Sequence, residues 1–279
     1  MRTILSSQIT ENISEMCISA NYNIPADVIC ALKKARQSEE WPIAQSVLDD
    51  ILKNDEMAAN ENLPACQDTG MALVFLAIGQ DLHIQGDLTE AVQEGVRRGY
   101  RDGYLRKSVV SDPLERVNTN DNTPALIYTE IVPGDRLGIT VAPKGFGCEN
   151  MSRLAMLKPS QGEDGIRKFI LETICLAGPN ACPPLVVGVG IGGSFDKAAE
   201  ISKRALLREI GSRNPNPFYA KLEEELLHEA NESGIGPQGF GGRTTVLALH
   251  IETLPTHIAA LPCAVNINCH AARHESREI

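Results

Sequence analysis

Eight cysteines are spread through this chain of 279 residues, and three of them sit where a thiolate could act. Cys66 lies in Pro64-Ala65-Cys66-Gln67-Asp68-Thr69-Gly70, Cys182 in Ala181-Cys182-Pro183-Pro184, and Cys269 near the end. None belongs to a C-x-x-C pair, which removes zinc ribbons and thioredoxin-type couples. Proline, glycine and short polar neighbours mark fixed loops, not helix faces. Three thiolates converging from separate loops can hold an iron–sulfur cluster with one iron left uncapped. A metal with an open position can act as a Lewis acid on a substrate oxygen. The plainer reading of each cysteine is a small buried apolar side chain. That reading holds for Cys17, Cys30 and Cys175, which fall within helical patterns. Cys148, in a glycine-rich loop, and Cys263, on an apparent strand six residues before Cys269, compete as ligands.

Other side chains could share the chemistry. Asp68, two residues past Cys66, could reach the same reaction volume. Equally, it could bond the backbone amides of its own loop, a frequent use of aspartate before Thr-Gly. His257 stands twelve residues before Cys269 and on residue type alone reads as a structural histidine. Arg106 follows Arg97, Arg98 and Arg101, for which a solvated basic face near a helix C-terminus is explanation enough. A planar guanidinium at 106 could instead grip a carboxylate through two parallel hydrogen bonds. Gly188, Gly190 and Gly193 spell G-x-G-x-x-G between a strand and a helix, which taken alone is a dinucleotide fingerprint. No second strand ending in an acidic residue follows about 20 positions on, so a nucleotide site is set aside. The motif reads instead as an anion- or cluster-facing loop at a helix N-terminus. The glycine-rich stretches 144–150 and 234–243 could let backbone approach a ligand, or be ordinary connections. Gly147 is the pocket candidate among them.

The motifs Cys66-Gln67-Asp68-Thr69-Gly70 and Ala181-Cys182-Pro183-Pro184, with the run from Leu254-Pro255-Thr256-His257 to Cys269, resemble the class I fumarate hydratase family. Its L-tartrate dehydratase relatives share much of the pattern. The resemblance implies a 4Fe-4S cluster held by Cys66, Cys182 and Cys269. It implies catalytic roles for Asp68 and His257 and substrate contacts from Arg106, Gln67 and Gly147. Serine is common in that family where Cys148 stands, which removes this cysteine from the set. The implied reaction is reversible hydration of fumarate to L-malate, a hydro-lyase reaction, with L-tartrate dehydration to oxaloacetate as the alternative. The segments 104–108 and 118–124 look more like the fumarate type. Fused members carry a second, C-terminal domain, whereas this chain stops ten residues after Cys269 and so looks like the alpha subunit of a two-subunit enzyme. The expected partner is a beta subunit that supplies the base for C3, in an assembly of two alpha and two beta chains built on an alpha homodimer. A rival from another class is a nucleotide- or zinc-binding regulatory module.

The bulk properties agree with an enzyme of small anions. With 26 Lys and Arg against 36 Asp and Glu the net charge is -10, which argues against nucleic-acid binding. A few arginines can still reverse the field inside one cleft. The hydrophobic share of 43% is ordinary for a globular chain. The longest apolar run, 185–193, is too short for a bilayer, and no secretory signal opens the chain, so the expected compartment is the cytoplasm.

Positioning these loops falls to interleaved helices and strands. Residues 1–60 read as a helical N-terminal segment, with one helix entered at Pro25 and another near Pro42. Residues 72–78 read as a buried strand, and 88–104 as a helix capped by Asp87 or Thr89. Residues 126–132 and 137–141 flank Pro133-Gly134-Asp135 and read as a hairpin. Ile166, Phe169, Ile170 and Ile174 define a helix over 163–177. A strand over 185–189 is expected to break at Gly190 and feed a helix to about residue 210. One more helix follows Pro217, and strands are expected over 245–251 and 264–267. The expected class is α/β, with mixed sheets flanked by helices in a single domain over 1–279.

Overall fold

The structure is a computed structural model describing residues 2–279. In chain order its first elements are β1 (Arg2–Leu5), α1 (Ser6–Tyr22), α2 (Ala26–Ser38), α3 (Pro42–Glu61), β2 (Met71–Gly79) and β3 (Leu82–Gln85). Then come α4 (Leu88–Asp102), β4 (Leu126–Val132), β5 (Leu137–Lys144), α5 (Phe146–Glu149), β6 (Arg153–Leu157) and α6 (Gly162–Ala177). The last are β7 (Leu185–Gly192), α7 (Phe195–Ala205), α8 (Pro217–Asn231), β8 (Val246–Leu254), β9 (Leu261–Asn268) and β10 (Glu275–Glu278). The class is α/β with mixed sheets flanked by helices, and α1–α3 form the helical N-terminal segment, preceded by the short strand β1. Contacts divide the chain into two compact units. One holds the described part of Met1–Ile24 with Asp55–Phe146 and Arg273–Ile279; the other holds Pro25–Asn54 and Gly147–Ala272. Among the described residues no helix is long and apolar enough to cross a membrane.

In the first unit a four-stranded sheet runs β10-β5-β2-β4, beside the parallel pair β1-β3. Its core joins Ile9, Ile13 and Met16 of α1, Val92, Val96 and Tyr100 of α4, and Val74, Leu76, Ile139 and Val141 of the sheet. Asp87 caps α4, accepting from the Glu90 N–H at 2.9 Å. Gly95 and Gly99 let α4 lie close on α1, since a Cβ at either would fall 2.8 Å from Ile13 Cβ or 2.7 Å from Cys17 Cβ. The expected hairpin of β4 and β5 does not form. β2 lies between them, parallel to β4 and antiparallel to β5. The 133–136 reversal wraps the end of β2 instead, and Gly79, Gln80 and Asp81 donate to the carbonyls of Arg136, Val132 and Gly134.

The end of α4 sets up the loop that follows. Leu105 N–H donates to Tyr100 C=O (3.0 Å) and Tyr104 N–H to Arg101 C=O (3.3 Å), a Schellman-type close. Tyr104 takes the left-handed position there, φ +51°, with its side chain 88% exposed. A tyrosine in that conformation is strained where glycine is not. Tyr104→Gly is therefore expected to raise unfolding stability by about 0.5–1 kcal/mol. The urea midpoint should rise at unchanged slope, and an unchanged or lower midpoint would count against the strain.

In the second unit the sheet order is β6-β9-β7-β8, with β7 parallel to β8 and antiparallel to β9. One face of β7, through Val187, Val189 and Ile191, packs on Ile170 and Ile174 of α6 and Leu222 and Leu226 of α8. The helix over 162–177 buries the four apolar residues that define it in the sequence. β7 does not break at Gly190 but runs on to Gly192, and α7 ends at Ala205, short of residue 210. Cys30 and Cys175 are exposed, not buried: helical spacing places them on helices but on the outward side.

Candidate functional site

The Cys66 loop belongs to the first unit, where Cys66 and Asp68 are half-buried and Gln67 is exposed. Asp68 is held at both carboxylate oxygens. Gly70 N–H donates to Oδ1 (3.0 Å) and Phe146 N–H to Oδ2 (2.8 Å). The carbonyl of Asp68 accepts from Nη2 of the buried Arg273 at 2.5 Å, and Arg273 Nε donates to Asn21 Oδ1 at 3.2 Å. Buried Tyr100 donates to the carbonyls of Thr69 (2.6 Å) and Gly70 (3.0 Å). Burial, the nearby Cys17 and Asp68 raise the Tyr100 pKa, against Arg273 and a bond from Asn21, so the phenol keeps its proton for those bonds. Asn122 donates to the same Gly70 carbonyl from Nδ2 (3.1 Å).

Arg106 lies in the same unit, exposed, with its carbonyl taken by Thr69 Oγ1 at 3.0 Å. The three earlier arginines are ion-paired, as a surface role requires: Arg97 and Arg98 with Glu94, Arg101 with Asp102. Arg97 also reaches Asp121 (3.1 Å). Burial alone would raise the Asp121 pKa. Bonds from the Thr123 N–H and hydroxyl and from Arg97 outweigh it, bringing the pKa down to about 2 and fixing the loop next to Asn122.

Cys182, Cys269 and His257 belong to the second unit. Cys182 is exposed and left-handed (φ +54°, ψ +64°), and its carbonyl accepts from the His270 N–H at 3.2 Å. That bond sets the Cys182 loop beside Cys269, which is half-buried against the core. Gln238 holds the next residue, its N–H and Nε2 each donating to the Pro183 carbonyl at 2.8 Å. His257 is exposed, and its Nδ1 accepts from the Ala259 N–H at 3.2 Å. The neutral ring therefore carries its proton on Nε2. Gly147 is exposed, and a side chain there would meet open space.

In the G-x-G-x-x-G motif, Gly188 and Gly190 serve packing. A Cβ at Gly188 would lie 2.2 Å from the Ser202 carbonyl oxygen, and one at Gly190 would lie 2.1 Å from that of Ala198. These glycines let α7 rest on β7. Gly193 instead braces the segment carrying His257: its N–H donates to Leu254 (3.3 Å) and Pro255 (3.2 Å), and its carbonyl accepts from Thr256 Oγ1 (2.9 Å). The N-terminus of α7 already holds an acid, Asp196, whose pKa is lowered by the Ser194 hydroxyl and by backbone N–H groups. A cavity of about 1040 Å³ in this unit, between α2, α8 and β8, touches none of the predicted site residues.

Thiol chemistry separates the cysteines further. None is in a disulfide. Cys263 is 0% exposed in the core, and burial pushes its thiol up to about 12. Burial and the nearby Glu275 do the same for Cys17, to about 12. Cys148 is buried and donates to Asn268 Oδ1 at 3.5 Å. The thiols of Cys182 and Cys269 on adjoining loops are soft donors, suited to iron–sulfur ligation rather than to a hard cation. Among the described residues no three His, Cys, Asp or Glu side chains gather around a single-ion position. A multi-iron cluster spreads its thiolates over several metal atoms and does not require that.

Comparison with known proteins adds an independent line. The family model for fumarate hydratase (Fumerase) matches residues 10–278. A Methanocaldococcus jannaschii protein named "Putative L(+)-tartrate dehydratase subunit alpha" is 40% identical over 279 residues, covering 98% of each chain. Proteins named L(+)-tartrate dehydratase subunit alpha from Escherichia coli UTI89 and K12 are 36% and 35% identical over 271 residues. These matches cover 96% of this chain and 89% of each relative.

Proposed function

Because the chain belongs to the fumarate hydratase family of hydro-lyases, we propose that it is the alpha subunit of an iron–sulfur hydro-lyase acting on a four-carbon dicarboxylate. The preferred reaction is reversible hydration of fumarate to L-malate. The observation that carries the reading within the chain is the bonded pair of loops bearing Cys182, which is exposed, and Cys269, which is half-buried. Cys66, Cys182 and Cys269 would hold a 4Fe-4S cluster. When bound, such a cluster supplies a Lewis acid that polarises the substrate hydroxyl and carboxylate.

The chain's own residues would then bind and move protons. Arg106 receives a carboxylate and fixes the orientation of the carbon skeleton, with Gln67 and Gly147 as further contacts. Asp68, already turned by two backbone amides, presents its remaining lone pairs to accept a proton from the entering water. In the reverse direction the protonated Asp68 returns that proton to the departing hydroxyl, while His257 holds the same oxygen by a hydrogen bond from its Nε2–H. The base for C3 comes from a beta subunit, in a cytoplasmic assembly of two alpha and two beta chains.

Dehydration of L-tartrate is the second reading, favoured by the names of the relatives. Anaerobic assay of the alpha–beta complex against fumarate, L-malate and L(+)-tartrate decides between them. The expected result is fumarate turnover by the complex and none by the alpha chain alone. A complex inactive on all three substrates would overturn both readings, and full activity of the lone chain would overturn the split site.

A further inference from the structure

We propose that Thr69 and Asn122 are positioning residues that aim Arg106 at the substrate carboxylate, an inference resting on the reading of Arg106 above. Arg106 follows the Schellman turn with an exposed side chain, and among the described residues no carboxylate pairs with its guanidinium. The point from which the guanidinium reaches out is therefore set by its backbone. Three attachments fix that backbone. Leu105 N–H bonds Tyr100 C=O on one side at 3.0 Å. Thr69 Oγ1 bonds the Arg106 carbonyl itself at 3.0 Å. Asn122 Oδ1 accepts from the Ser108 N–H at 2.7 Å on the other side.

Two of these side chains tie the arginine loop to the Asp68 loop. Thr69 is the neighbour of Asp68, and the other end of Asn122 donates to Gly70. Asn122 is 0% exposed and Thr69 2%, and the bond from Asn122 to Gly70 is buried, where a donor or acceptor left alone is costly. Asn122 is also left-handed, φ +61°. Glycine would suffice for the turn, but only the asparagine amide bridges the two loops.

The bridge sets the distance and angle between a carboxylate-binding guanidinium and a proton-handling carboxylate, where a small misplacement weakens binding. A substrate carboxylate is present in ground and transition states alike. Loss of aim therefore removes uniform binding, which raises KM more than it lowers kcat.

The test uses the alpha–beta holoenzyme and whichever of fumarate or L-tartrate the wild type turns over. Thr69→Val keeps the shape and deletes the hydroxyl, while Thr69→Ser keeps the hydroxyl. The valine variant is expected to raise KM about 10-fold with kcat within about 2-fold, and the serine variant to restore KM. Calorimetric titration with the dicarboxylate should show the same loss of affinity. If the valine variant fails to fold, Asn122→Gly, which keeps the left-handed backbone, reads the same effect. An unchanged KM, a fall in kcat at constant KM, or a serine variant as impaired as valine overturns the proposal. A wild type inactive on both acids overturns the functional reading instead.

Discussion

Cys182→Ser is expected to give a folded alpha chain that retains no iron and whose complex turns over substrate at least about 10³-fold more slowly. Loss of a residue that merely supports a metal ligand costs 10–100-fold, and loss of a ligand exceeds that. The argument begins with the backbone. A non-glycine residue in the left-handed region is strained by about 1–2 kcal/mol. Cys182 stands there, held by its own N–H to Pro179 (3.1 Å), by His270 at its carbonyl and by the two bonds from Gln238 at Pro183. Its side chain is exposed, so burial does not repay the strain. What distinguishes cysteine from glycine at this position is the thiol. Cys182→Gly should thus raise stability by about 0.5–1 kcal/mol while losing activity as completely as serine. Opposite signs for stability and turnover are the signature of a functional strain. Iron content, kcat and the urea midpoint measured on both variants provide the check. A serine variant with full iron and wild-type turnover would sink the ligand assignment.

How much of this was legible in the sequence depended on how local the cause was. The helix bearing Ile166, Phe169, Ile170 and Ile174 and a cap at Asp87 or Thr89 are written in nearest-neighbour spacing, and the structure has the helix and places the cap at Asp87. The reversal at 133–136 was equally visible, but not that β2, some 50 residues earlier, enters between the strands it joins. Turn chemistry specifies a change of direction, whereas strand partners follow from the whole core. Helical spacing likewise put Cys30 and Cys175 on helices without saying which side faces water. The loop motifs around Cys66 and Cys182 were legible because proline and glycine punctuate them. Their supports were not. Tyr100, Asn122, Gln238 and Arg273 act through bonds to distant backbone carbonyls, and such bonds leave no periodicity and no motif. The nearest sequence signal was the cluster of asparagines at 118–122, which marks a turn but not its bridging amide.

The glycine motif is where spelling and physics parted most, and it carries the second large effect. Gly190→Ala is expected to destabilise the chain by about 3 kcal/mol, the upper part of the overpacking range. The added carbon would sit 2.1 Å from the Ala198 carbonyl oxygen, 2.7 Å from Ile201 Cγ1 and 2.8 Å from the Ser202 amide. Two of these neighbours are helix backbone and cannot rotate away. α7 as a whole must lift from β7, which opens contact along its buried face at Ala198, Ile201 and Ala205. The lift also reaches the site. α7 follows directly from Gly193 and Ser194, and Gly193 bonds Leu254, Pro255 and Thr256 just before His257. Turnover of the complex should therefore fall with stability, and Gly188→Ala, blocked at 2.2 Å by Ser202, should behave alike. A dinucleotide-binding loop predicts otherwise, because alanine at such a glycine obstructs a bound pyrophosphate and leaves the apo fold sound. Chemical denaturation of the ligand-free chain separates the two explanations: a wild-type midpoint for Gly190→Ala would return the motif to ligand binding, and a large drop assigns it to helix-on-sheet packing.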